Sequence, residues 1–245
     1  MFRALFVLSI MLPLTVIGGC IELVIILFTF PFRLVKNDVL HRVNAFWGWV
    51  FFKVAGSKLA VSGREYYDPK KPYIIMMNHQ SSFDIFLLFA VLPGQFRWIS
   101  KDTYFKYPII GWSMKHSGYI SIVREKMKSA YDSILAAGKR LEEGRSVAIF
   151  PEGTRSLDGV IRRFKPGILI LTEQYPDIPI LPVVIDGTGR MMKKGSFSIQ
   201  KTDVRVRILP PYCIKGIPGD RNAKIGHLEA MMRTVHESMM RETPR

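Results

Sequence analysis

The 245-residue sequence predicts an α/β fold, a mixed and largely parallel sheet flanked by helices, with an apolar helical segment at its amino terminus. Three observations predict it. Short β-rich runs alternate with helical periodicities along most of the chain, the pattern of strands joined by crossover helices. The first thirty residues are almost wholly apolar. A composition of 48% hydrophobic and 22% charged residues supplies a core and excludes a disordered polyelectrolyte.

Residues 4–30 carry Glu22 as their one charge. As a straight helix they would run about 40 Å, against about 30 Å for the hydrocarbon layer of a bilayer. Pro13 and the Gly18-Gly19 pair could divide the stretch, so two forms stay open: one tilted span, or a helical hairpin re-entering one leaflet. An apolar circumference disfavours a buried core helix. Ile17-Gly18-Gly19-Cys20 also resembles a lipoprotein cleavage site, but the apolar run after it would then stand redundantly behind a lipid anchor. Arg33, Lys36 and Arg42 follow the segment and only Arg3 precedes it, so a single span leaves the remainder in the cytoplasm. Residues 1–40 thus read as a membrane anchor and 41–245 as one domain; in a bacterium that is the inner membrane.

In that domain strands are predicted at 58–62, 73–77, 96–100, 119–123, 146–150, 180–186 and 204–209. Pro182 implies that its strand lies at an edge or carries a bulge. Helices are predicted at 84–92, 108–116, 126–143 and 223–241. Gly144 stops the third, and Ile225, Leu228, Met232, Val235 and Met239 give the last a face to pack against the domain.

Lys and Arg outnumber Asp and Glu by 35 to 20, and +14 of the net +15 lies beyond residue 40. Such an excess fits nucleic acid, an anionic membrane or a phosphorylated substrate. No nucleic-acid recognition motif is present, and an adjoining apolar anchor favours anionic membrane lipids. Two distant cysteines, Cys20 and Cys213, give neither a disulfide framework nor a metal-ligand spacing.

Four short motifs lie at strand ends. The strand at 73–77 runs into Asn78-His79-Gln80-Ser81-Ser82-Phe83-Asp84. A carboxylate five residues on can accept from one ring nitrogen of His79, leaving the other as a base near neutral pH. The strand at 146–150 runs into Pro151-Glu152-Gly153-Thr154-Arg155-Ser156, with Phe164-Lys165-Pro166-Gly167 beyond it. Gly153 permits a tight turn, Thr154 and backbone N–H groups can donate, and Arg155 can grip a phosphate. Glu152 can orient the arginine or accept from a hydroxyl. The third motif is 118–124, a strand delivering Arg124, and the fourth is the apolar strand through Pro182.

In order and spacing these motifs resemble the glycerolipid acyltransferase family over roughly residues 55–215. Lys101, with Pro108 and Gly111 after it, resembles the family's connecting segment, while Val123 stands where many relatives carry aspartate. The resemblance implies transfer of a fatty acyl group from an acyl thioester to the sn-2 hydroxyl of lysophosphatidate, yielding phosphatidate. It implies acyl-CoA or acyl-carrier protein as co-substrate, and no metal or bound cofactor. His79 would be the general base and Asp84 its orienting partner, the substrate supplying the hydroxyl. Glu152, Gly153, Thr154, Arg155 and Arg124 would hold the acceptor phosphate, with Lys101 and Lys165 as further phosphate or carrier contacts. Ser81 and Ser82 lack a nucleophile elbow and read as structural. Two other readings compete: acylation of another lyso-lipid such as a lyso-ornithine lipid, and non-catalytic binding to anionic membranes.

Overall fold

The computed structural model describes residues 2–29, 37–123, 126–196 and 198–242. Helix α1 (Phe2–Thr29) and helix α2 (Asn37–Ala55) precede strand β1 (Lys58–Ser62) and strand β2 (Ile74–Met77). Helix α3 (Phe83–Val91), strand β3 (Phe96–Lys101), helix α4 (Ile110–His116) and strand β4 (Ile120–Ile122) follow. Next come α5 (Met127–Glu142), β5 (Ser146–Ile149), α6 (Gly167–Gln174) and β6 (Ile180–Asp186). A short α7 (Thr188–Met191), β7 (Asp203–Ile208) and the long α8 (Arg221–Arg241) come after them.

The sheet runs β1-β7-β6-β2-β5-β3-β4. Every neighbouring pair is parallel except β6 and β7. Side chains alternate between its faces, as the pleat demands. Ile75 and Met77 of β2, with Leu181, Val183 and Ile185 of β6, join the core under α1, α2 and α3. Ile74 and Met76, with Ile180 and Val184, join the core under α5, α6 and α8. A sheet covered on both faces needs continuous apolar strands, and β2 and β6 are buried at every residue.

Pro182 lies inside the sheet and not at an edge. It pairs with Met76 on one side, and on the other its carbonyl accepts from Leu209 N just past the end of β7. Antiparallel pairing resumes at Ile180 and Tyr212, with one more residue on that side than on β6, so the missing N–H falls at a bulge through Pro210-Pro211.

Helix α1 continues through Pro13 and Gly18-Gly19 without dividing into a hairpin. Contacts along its length hold it against the domain. Arg3 donates to the carbonyl of Ala55, Trp47 Nε1 donates to Thr15 Oγ1 at 3.0 Å, and Asn44 Nδ2 donates to Glu22 Oε1 at 2.8 Å. Its other faces expose Leu5, Phe6, Leu12, Ile17, Val24 and Phe28, and the helix is long and apolar enough to cross a membrane. Helix α2 packs between α1 and α3. Gly48 lets α2 and α3 approach, since a Cβ there would meet Phe89 Cδ2 at 2.2 Å.

Candidate active site

Strands β2, β5 and β6 run parallel, so the loops after them gather at one edge of the sheet, where α/β folds place reacting groups. Asn78 ends β2 by imitating a strand residue: its Nδ2 donates to Ile185 O at 2.8 Å and its Oδ1 accepts from Ile185 N at 2.7 Å. That clamp fixes the turn that carries His79.

His79 Nδ1 lies 2.7 Å from Asp84 Oδ2. A carboxylate can only accept, so Nδ1 carries the proton and Nε2 is left with its lone pair. The same Oδ2 accepts from Gln80 N at 2.8 Å and Ser81 N at 2.9 Å, while Oδ1 accepts from Thr188 Oγ1 at 2.5 Å. Asp84 is fully buried in the first turn of α3, where the helix dipole favours a negative charge. The imidazole also stacks on Phe150, with ring centroids 3.9 Å apart, so its plane is fixed as well as its tautomer.

Glu152 serves this turn from behind. Its Oε1 accepts from His79 N and its Oε2 from Arg162 N, each at 2.7 Å. Both oxygens are committed to backbone, so the carboxylate neither orients Arg155 nor faces a substrate hydroxyl. Burial, with the nearby Asp84 charge adding, pushes its pKa up to about 7, while the two N–H donors pull it down. Arg155 is held instead by Ser82, whose Oγ accepts from its Nη1 at 2.7 Å. Ser81 Oγ donates to Met192 O at 2.8 Å, a structural role.

Beside the imidazole opens a cavity of about 480 Å³. His79, Ser82, Lys101, Thr154, Arg155 and Lys194 line one part of it; Phe86, Phe89, Trp98, Ile110 and Met114 line an apolar part running between α2, α3 and α4. Of the residues singled out from sequence, His79, Lys101, Thr154 and Arg155 thus share one lumen. Asp84 and Glu152 stand buried behind it. Gly153 takes the turn at φ +68°, with the Lys165 stem lying over it, and exposed Lys165 is not in the cavity wall. Arg124 lies outside the described residues.

Sequence reasoning missed two residues here. Lys194 reaches the mouth, its Nζ 3.1 Å from Thr154 Oγ1; only the basic excess beyond residue 40 signalled it. Thr188, the first residue of α7 just past β6, had no signal at all. Gln80 extends the same network, accepting from Gly187 N at 3.2 Å and meeting His236 of α8 at 3.0 Å. Among the described residues no cluster of three or more His, Cys, Asp or Glu side chains is arranged for a metal ion.

A His–Asp pair at the carboxyl edge of the sheet, facing a largely apolar cavity with Lys101, Arg155 and Lys194 in its wall, is an arrangement that suits acyl transfer. The Acyltransferase family model matches residues 58–186, more than half of the chain, and the chain belongs to that family. Its relatives are more specific. A 1-acyl-sn-glycerol-3-phosphate acyltransferase of Chlamydomonas reinhardtii is 37% identical over 180 residues, covering 70% of this chain and 52% of that protein. The human alpha form of that enzyme is 30% identical over 182 residues, covering 74% of this chain and 64% of the relative. The chain spans about half the length of several curated relatives it matches. The crystal structure of the 1-acyl-sn-glycerophosphate acyltransferase PlsC from Thermotoga maritima superposes with a TM-score of 0.74 at 25% identity, covering 96% of this chain and 98% of that one.

Proposed function

We propose that this protein transfers a fatty acyl group from an acyl thioester to the sn-2 hydroxyl of lysophosphatidate, forming phosphatidate for phospholipid synthesis. The observation that carries the reading is the His79–Asp84 pair opening onto a cavity with a cationic mouth and an apolar body. The names of the relatives support the same acceptor.

A thioester is already activated, so the work is to make the alcohol nucleophilic and to stabilise the tetrahedral oxyanion. His79 Nε2 removes the proton from the acceptor hydroxyl as its oxygen bonds to the thioester carbonyl carbon. Asp84, held by four donors, accepts from Nδ1 throughout and stabilises the imidazolium that forms. The tetrahedral intermediate collapses with loss of the thiolate, which takes the proton back from Nε2. No acyl-enzyme intermediate is needed. Arg155, Lys194 and Lys101 meet the phosphate or the carrier, Thr154 and Gly153 shape the mouth, and Glu152 fixes the loop behind His79. Arg124 and Lys165 stand as further phosphate or carrier contacts. The apolar part of the cavity takes the acyl chain.

The exposed apolar faces of α1 embed in the bilayer and the basic domain lies on anionic lipid, facing the cytoplasm if the cell is bacterial. The reaction calls for no cofactor beyond the acyl-CoA or acyl-carrier-protein donor. The test is an acceptor panel assayed with both donors, the lipid products being separated. Transfer to lysophosphatidate far above its dephosphorylated analogue supports the reading. Equal use of a phosphate-free lyso-lipid would overturn the acceptor assignment, and no transfer to any lyso-lipid would overturn the enzyme.

A further inference from the structure

Glu22 is the one charged residue in the apolar stretch 4–30, and the proposed chemistry does not use it. An ionisable side chain in a membrane-embedded helix is costly and usually marks function. Glu22 is 2% exposed and lines the same cavity as His79. Its Oε1 accepts from Asn44 Nδ2 at 2.8 Å, but its Oε2 has no hydrogen-bond partner. The neighbouring Ser113 hydroxyl stands beside the Glu22 carboxylate but is engaged with Asn44, at 2.9–3.0 Å, which leaves Oε2 without a donor of its own. A second orphan lies in the wall: Trp98 Nε1 is buried without an acceptor.

The geometry puts Glu22 at the end of the cavity away from His79. Helices α2 and α3 run antiparallel, with Phe51 against Phe83, Trp47 against Phe86 and His41 against Phe89. From Ser82 to Phe89 the wall of α3 recedes about 10 Å from the catalytic turn. Asn44, between Trp47 and His41 on α2, and Glu22 bonded to it therefore stand at the distal end. Helix α1 faces the lumen with Thr15, Gly18, Gly19 and Glu22, its least apolar stripe, and turns Leu12, Ile17, Ile21, Leu23 and Leu27 outward. A plain alkyl chain gains nothing from that stripe and leaves both orphans unpaired.

We propose that the distal end of the cavity is a polar subsite for an acyl chain that carries a hydroxyl group in its far half. The hydroxyl donates to Glu22 Oε2, and a chain oxygen is the acceptor that Trp98 Nε1 lacks. The inference rests on the acyltransferase reading, because it takes the acyl chain to occupy this cavity.

The test uses the full chain in detergent micelles with lysophosphatidate and coenzyme A thioesters of stearate and of monohydroxystearates, the hydroxyl being moved along the chain. We expect kcat/KM for one mid-chain or distal hydroxyl isomer to exceed that of the plain chain by about fivefold, the gain of one hydrogen bond. Glu22→Leu is expected to bring that ratio to one or below, and Glu22→Gln to leave it between the two. Because the ratio in the unmodified protein is a test by itself, a variant that fails to fold does not remove it. A plain chain preferred over every isomer would overturn the subsite while leaving the acyltransferase intact. No transfer from any donor would overturn the acyltransferase reading, and the subsite with it.

Discussion

Replacing Asp84 by asparagine keeps the volume of the side chain and removes its charge. The amide oxygen can still accept from His79 Nδ1, Gln80 N and Ser81 N, and the amide nitrogen can donate to Thr188, whose hydroxyl then turns away. The tautomer of His79 thus survives, and the loss falls on the imidazolium formed during attack. With charge centres about 4 Å apart and an effective dielectric of about 20, the lost attraction is about 4 kcal/mol. At about 1.4 kcal/mol for each factor of ten, kcat should fall about a thousandfold. That lies within the range of general-base catalysis, about a hundredfold to ten-thousandfold. The assay is acyl transfer to lysophosphatidate under saturating donor, with circular dichroism confirming that the variant folds. KM should change little, since the interaction matters only once the imidazole is charged. A folded variant retaining more than a tenth of the kcat would refute the dyad.

Other consequences are equally specific. Thr188→Val removes the donor to Asp84 Oδ1 and leaves a fully buried carboxylate oxygen unpaired, at a cost of about 1–3 kcal/mol; kcat should fall by about tenfold or more with KM unchanged, and Thr188→Ser should restore it. Lys194→Ala should raise KM for lysophosphatidate about tenfold and leave a phosphate-free acceptor unaffected, measured by initial rates. Burial tends to raise the Asp186 carboxyl, but His236 and Arg190 outweigh it and hold it down, from 3.8 to about 2. A depressed pKa contributes stability above the unfolded value that is lost as pH falls, here roughly 2 kcal/mol disappearing between about pH 4 and pH 2. The gap in thermal midpoint between the unmodified protein and Asp186→Asn should therefore be full near neutrality and close over that acid range.

Much of this architecture is legible in the sequence for a local reason. Each of the seven strands falls on a short β-rich run, apolar throughout in β2 and alternating with charge in β7, and the ends of β1 and β6 fall where the pattern puts them. His79 and Asp84 are legible because one turn holds both partners. Helix α2 is not, because Ala45-Phe46-Trp47-Gly48-Trp49-Val50-Phe51-Phe52 is apolar without a clear period, and the α1 and α3 faces that order it are remote in sequence. Helix α6 was missed as well, since Gly167–Gln174 is too short to show a period. Thr188 and Lys194 meet the site across more than a hundred residues and about forty residues respectively. The role of Glu152 was misread for a related reason: its backbone partners, His79 N and Arg162 N, appear only when the loops after β2 and β5 close on each other. The cavity belongs to no single segment, which is why the sequence shows that an acyl chain needs a groove and not which residues line it.

The central claim is that His79 removes the proton from a lysophosphatidate hydroxyl at this site. It is tested most directly by supplying purified full-length protein and its His79→Ala variant with lysophosphatidate and a labelled acyl thioester, and following labelled phosphatidate. The account predicts steady phosphatidate formation by the unmodified protein and none above the uncatalysed rate by the variant, both binding anionic vesicles alike. Phosphatidate formed at equal rates by the two proteins would contradict it.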